Sequence, residues 1–185
     1  MSIMPLRKNT AALATLAILA AIGIVIRILV KFTIIPDLVE ITPAFLFSLL
    51  AGILGGVPGG IFVGGIVGLA GALAGGESPL IPMVGNILLG VGTGWVIHVI
   101  NDRDSMRYRL LVILSGGIIG GFISDVLILI FLGVPWDLTL ITATADMLMA
   151  FGWVILALIL ESKFIRPLFG HYLYPEESIR ELEEV

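Results

Sequence analysis

Apolar residues run in blocks along this chain, each about the length of a membrane-crossing helix, which needs about 20 apolar residues. The first block extends from Thr10 to about Val30 and ends ahead of Pro36, Asp37, Glu40 and Pro43. No charged residue stands between Glu40 and Glu77, and none between Glu77 and Asp102. The apolar stretch from Ala44 to about Leu73 is too long for one ordinary span. It is cut by Gly55-Gly56-Val57-Pro58-Gly59-Gly60, which has little helix propensity and holds a proline, so two helices joined by a tight turn fit it best. After a loop at Gly75–Pro79, further blocks run from Ile81 to about Ile100, from Leu110 to about Leu132 and from Leu138 to Leu160. Polar loops at Asn101–Arg109 and Gly133–Asp137 separate them. The pattern predicts an all-α integral membrane protein, a compact bundle of six transmembrane helices forming one domain over residues 1–160. A charged tail, residues 161–185, follows as a short amphipathic or disordered end.

Composition strengthens this reading. The 185 residues are 58% hydrophobic and only 13% charged, with a mean hydropathy of +1.14, whereas a soluble domain carries about 25% charged residues. Soluble enzyme folds are thereby excluded. The net charge of −4 comes from the last ten residues, where Glu176, Glu177, Glu181, Glu183 and Glu184 outnumber Arg180; without those ten residues, nine acids balance nine bases. Nothing points to nucleic acid. The absence of cysteine removes disulfides and thiolate metal sites, and two distant histidines, His98 and His171, make no metal site. No catalytic set, metal or cofactor is expected. The N-terminal segment lacks a small-residue cleavage site behind a short apolar core and reads as a retained first span.

With six spans, Arg7, Lys8, Arg103, Arg107, Arg109, Lys163 and Arg166 fall on one side, and Lys31 alone on the other, with Arg27 one turn deeper. The excess of basic residues on the cytoplasmic side then places both termini in the cytoplasm. Glycines spaced four apart, such as Gly60, Gly64 and Gly68, allow close helix contact in lipid.

Ionisable residues inside spans are costly and mark functional sites by default. Arg27 and Lys31 lie one turn apart on one helix face, where like charges need an anionic answer from Asp37, Glu40 or a ligand; an interfacial pair with snorkelling stems is the structural alternative. Asp125 and Asp146 share a depth in the last two spans. They can bind an amine or amide, hold one proton between them, pair with Arg27, or serve as a helix–helix hydrogen bond. Thr139, Thr142, Asp146, Met149 and Trp153 follow a three-to-four spacing that makes one helix face polar and aromatic. Asn86 can bond a ligand or cap a broken helix. Trp136, like Trp153, can stack on a flat ligand, although Trp136 also suits an interfacial belt. These residues gather toward the outer side, as capture from outside requires.

Three local patterns add a resemblance. They are the alanine-rich first span from Ala11 to Ala21, the run Leu50-Ala51-Gly52-Ile53-Leu54-Gly55-Gly56-Val57-Pro58-Gly59-Gly60, and the Pro-x-x-Gly-Asn-x-x-Leu-Gly run at Pro82–Gly90. In this order, over roughly Arg7 to Leu160, the chain resembles the S component (substrate-binding subunit) of energy-coupling factor (ECF) vitamin transporters. The resemblance implies a multi-pass protein of the cell membrane that binds a vitamin-like molecule in a pocket open to the outside. It implies docking onto a membrane coupling subunit driven by two ATPase subunits, through small residues that here match Ala17 and Ala21, with Ala14 on a nearby face. The chain has no Walker-type loop, so ATP hydrolysis must come from those partners.

Three other readings compete. An intramembrane enzyme would use Asp125 and Asp146 as a proton-sharing pair, but the motifs of aspartyl proteases are missing around both. A non-transporting scaffold subunit predicts no polar pocket at the outer side. A stand-alone secondary carrier is disfavoured by the lack of an evident inverted repeat.

Overall fold

A computed structural model describes residues 9–30, 32–35, 39–75 and 78–174. Among them, five helices are long and apolar enough to cross a bilayer: Thr10–Leu29, Phe45–Gly75, Leu80–His98, Met106–Phe131 and Trp136–Leu173. They are called the first to fifth helices below. The protein is a multi-pass membrane protein built almost wholly of helix. Among the described residues the one departure is a short antiparallel hairpin, Phe32–Ile35 against Val39–Ile41, in a stretch that read from the sequence only as a break.

The first helix starts at an N-cap. The Asn9 side-chain oxygen accepts hydrogen bonds from the amides of Ala11 and Ala12, at 3.0 and 3.2 Å, satisfying donors that a helix start leaves open. The same side chain donates its amide to the Tyr172 carbonyl, so the beginning of the first helix meets the end of the last.

The second helix is interrupted inside the Gly55–Gly60 stretch. Gly56 takes φ 63° and ψ −161°, a backbone conformation open to glycine and costly for other residues. Pro58 follows, where a new helical turn begins and its missing N–H costs nothing. Because Phe45 and Gly75, at the two ends of this helix, line the same cavity, the chain folds back on itself at Gly56.

The four-residue glycine spacing becomes backbone contact. A Cβ added at Gly60 would run into the Gly90 backbone, one at Gly64 into Asn86, and one at Gly68 into Pro82 and Met83. The second and third helices are therefore held together by close approach of their main chains, the means by which helices associate in lipid. Leu16, Leu49, Ile53, Leu54, Val63 and Val67 fill the centre of the bundle, whereas Leu29, Leu73, Leu127 and Phe131 face outward, as a lipid-facing surface requires.

Several boundaries differ from the sequence reading, two of them by more than two residues. The fourth helix begins at Met106 rather than Leu110, with Ser105 capping it through a bond from the Tyr108 amide at 3.2 Å. The fifth helix does not end at Leu160. It passes through a π-helical turn, Glu161–Ile165, and continues to Leu173, so residues 161–173 belong to the helical body and only 175–185 lie outside the described residues. Glu161 is just 2% exposed, because Arg103 and Arg166 surround its carboxylate and make continuation of the helix favourable there.

Candidate binding cavity

Between the helices, at the end of the bundle that carries the hairpin, lies a cavity of about 480 Å³. That volume suits a small organic molecule, for which pockets run from about 300 to 1,000 Å³. The first helix contributes Arg27 to its lining, the second Phe45, the third Asn86, the fourth Asp125 and the fifth Thr142 and Asp146. Leu89, Ile128 and Leu129 supply apolar surface between these groups.

The Arg27 side chain is 8% exposed, and its guanidinium carbon lies 5.5 Å from the centroid of the Phe45 ring, within cation–π reach. Gly71 makes room for it: a Cβ there would stand 2.6 Å from Arg27 Nε. Asn86 is held from two sides. Its side-chain oxygen accepts from the Ser48 hydroxyl at 3.0 Å, and its amide nitrogen donates to the Pro82 carbonyl at 2.9 Å. These two bonds fix which way the amide points.

Asp125 and Asp146 come from neighbouring helices and interact side chain to side chain. The local sequence explains the meeting. Gly121, one turn before Asp125, lets the fourth helix approach the fifth so closely that a Cβ at Gly121 would stand 2.7 Å from Met147 Cα. The fourth helix is also π-helical over Gly116–Ile123, a local widening directly ahead of Ser124 and Asp125. Thr142 sits one turn before Asp146; it is 1% exposed, and its hydroxyl has no hydrogen-bond partner among the described residues.

Of the residues singled out in the sequence, Arg27, Asn86, Asp125 and Asp146 are brought together around the cavity. Trp136 and Trp153 are not: Trp136 is 62% exposed at the start of the fifth helix, and Trp153 packs against the core about two turns beyond Asp146. Lys31 and Asp37 lie outside the described residues, and Glu40 stands in the second strand of the hairpin. Ala14, Ala17 and Ala21 face outward from the first helix. Sequence reasoning did not single out Ser124, Phe45 or Thr142 for the site. For Thr142 a signal existed, since it shares a helix face with Asp146. Among the described residues no cluster of His, Asp or Glu side chains has the makings of a metal site.

In sequence the chain matches no protein-family model and no curated protein. In structure it is similar to the S-component for biotin from an ECF-type ABC transporter, with a TM-score of 0.59 at 18% identity, over 88% of this chain and 96% of that one. That protein is a transporter component and not an enzyme. The present chain has the fold of an ECF S component.

Proposed function

We propose that this protein is the substrate-capturing subunit of an ECF-type importer, taking a vitamin-like small molecule from outside and delivering it for ATP-driven uptake. The observation that carries the reading is the cavity itself: polar groups from four helices converge on it at one end of an apolar bundle. A scaffold subunit has no need of such a pocket. In this reading Arg27, Asn86, Asp125 and Asp146 contact the substrate. The fold-back at Gly56 makes the second helix two membrane passes, giving six in all. Asn9 and Tyr172 meet at the end opposite the cavity, together with Arg103 and Arg166, and the basic side is the cytoplasmic one. Both termini then lie in the cytoplasm and the cavity opens outward, across the plasma membrane.

Partners follow from the same reading. Small side chains on an outward-facing helix permit close, reversible helix contact, so Ala14, Ala17 and Ala21 form the docking face for a membrane coupling subunit bearing two ATPases. Affinity purification of the tagged protein from its native membrane tests this. The expected result is copurification of a membrane subunit and ATPases, abolished by Ala17→Trp while the melting temperature in detergent is unchanged. Absence of these partners from the wild-type preparation contradicts the proposal.

A further inference from the structure

The polar groups of the cavity are sorted by wall. The fourth and fifth helices present the carboxyls of Asp125 and Asp146 and, one turn from Asp146, the hydroxyl of Thr142, which can both accept and donate. The first and third helices present Arg27 and Asn86. With its oxygen engaged by Ser48 and one amide hydrogen by the Pro82 carbonyl, Asn86 retains a second amide N–H, a donor.

Thr142 is the most informative of these residues. A threonine within a helix commonly settles its hydroxyl on the carbonyl four residues earlier, as Thr15 does on Ala11 at 2.9 Å. Thr142 is buried, lines the cavity and makes no such bond among the described residues. Buried polar groups are nearly always answered, and the cavity is the side from which an answer can come. The Asp125–Asp146 contact points the same way. Two carboxyl groups that face each other beside a cavity are best bridged by hydrogens, and a group bringing its own hydrogens can take that role. An anionic or acceptor-only group would be repelled by this wall.

Resting on the substrate-binding reading, we propose that the cavity selects a molecule with a nitrogen-borne donor group, such as an amino, amidine or ureido group. That group is seated against Asp125, Asp146 and Thr142, and an acceptor on the same molecule faces the amide of Asn86. Selection by N–H count is strong in such a site, because a molecule lacking the donors sets an acceptor against two carboxyls.

Calorimetry on the full chain in detergent tests this with three probes: biotin (ureido N–H groups and a carboxylate), thiamine (an amino group on a cationic framework) and lipoate (a carboxylate without N–H). Mass spectrometry of any molecule retained through purification is run alongside. The expected result is that at least one nitrogen-bearing probe, or a retained molecule with N–H donors, binds while lipoate does not. Asp125→Asn and Asp146→Asn then weaken binding at least about tenfold and Thr142→Val about three- to tenfold, with Thr142→Ser restoring it and melting temperatures unchanged. Lipoate bound as tightly as the nitrogen-bearing probes, a retained molecule without N–H, or undiminished binding in both aspartate variants overturns the donor-group assignment and leaves substrate binding standing. No probe bound and nothing retained removes the binding reading, and this inference with it.

Discussion

Two groups of polar side chains lie within the bundle, at opposite ends, and they are used differently. At the cavity end, Arg27, Asn86, Asp125, Thr142 and Asp146 converge from four helices on open volume. At the other end, Arg103 and Glu161, each 2% exposed, belong to a network of ion pairs and main-chain bonds. Arg103 donates to the carbonyls of Ile53 and Leu54 at 2.8 and 3.4 Å and lies 3.5 Å from Glu161, with the Tyr174 ring 4.8 Å beneath its guanidinium. Arg166 joins Glu161 at 3.4 Å and Asp104 at 2.9 Å, and Arg109 reaches Asp104 at 3.3 Å. The two carbonyls are those that the Gly56 fold-back leaves open: Pro58 has no N–H for Leu54, and the turn diverts the amide that Ile53 would use. An arginine is suited to a helix C-terminus, where partial negative charge gathers. Burial alone therefore does not identify a binding group. What separates the two ends is what the polar groups surround: at one, main-chain carbonyls and counter-charges; at the other, a cavity.

Substitutions separate stability from binding along this line. The largest loss of stability is expected from Arg103→Ala, which opens two helix-end carbonyls and strands the buried Glu161 carboxylate. Breaking a buried pair on one side costs about 3–5 kcal/mol, read as a fall in melting temperature in detergent. Next comes Gly60→Val, which forces the second and third helices apart. Overpacking of this kind costs about 1–3 kcal/mol and weakens binding only indirectly. Asp125→Asn behaves in the opposite way. Binding falls at least about tenfold while the melting temperature holds, because the amide keeps the shape of the carboxyl and a donor for Asp146.

The smallest effect belongs to Asp104, at the exposed rim of the ion-pair network. Its hydrogen bond from Arg166 holds the carboxyl below its ordinary value, with Arg109 adding to the effect against some desolvation. A lowered value in the folded state means that its contribution is fully present above the ordinary carboxylate range and is lost as pH falls through the lowered value. Since the group is largely exposed and screened, Asp104→Asn at neutral pH costs at most about 1 kcal/mol, and the difference between variant and wild type vanishes in strong acid. Melting curves at neutral pH and in strong acid, well below the ordinary carboxylate range, check both statements.

How much of this was legible in the sequence depends on how local each feature is. The fold-back was legible because Gly55–Gly60 carries its own conformational signal. The helix contacts of Gly60, Gly64 and Gly68 were legible because a four-residue spacing puts them on one face whatever the partner. Asp125 and Asp146 stood out because charge inside a span is expensive. Arg103 was read only as part of a basic rim. Its burial depends on carbonyls 50 and 49 residues earlier and on Glu161, which become neighbours only after folding. For the same reason the sequence reading ended the last helix at Leu160: Glu161, Lys163 and Arg166 resemble a tail until their partners are known. The hairpin at 32–41 was missed because two strands of four and three residues carry too little alternation to be distinguished from a loop.

The central claim, that the cavity is a substrate site, is tested most directly by mass spectrometry of small molecules released from wild-type and Asp125→Asn protein purified side by side in detergent. The account predicts that the wild type releases a vitamin-sized molecule in near-stoichiometric amount and that the variant, with the same melting temperature, releases almost none. Equal release from both proteins, or none from either, contradicts it.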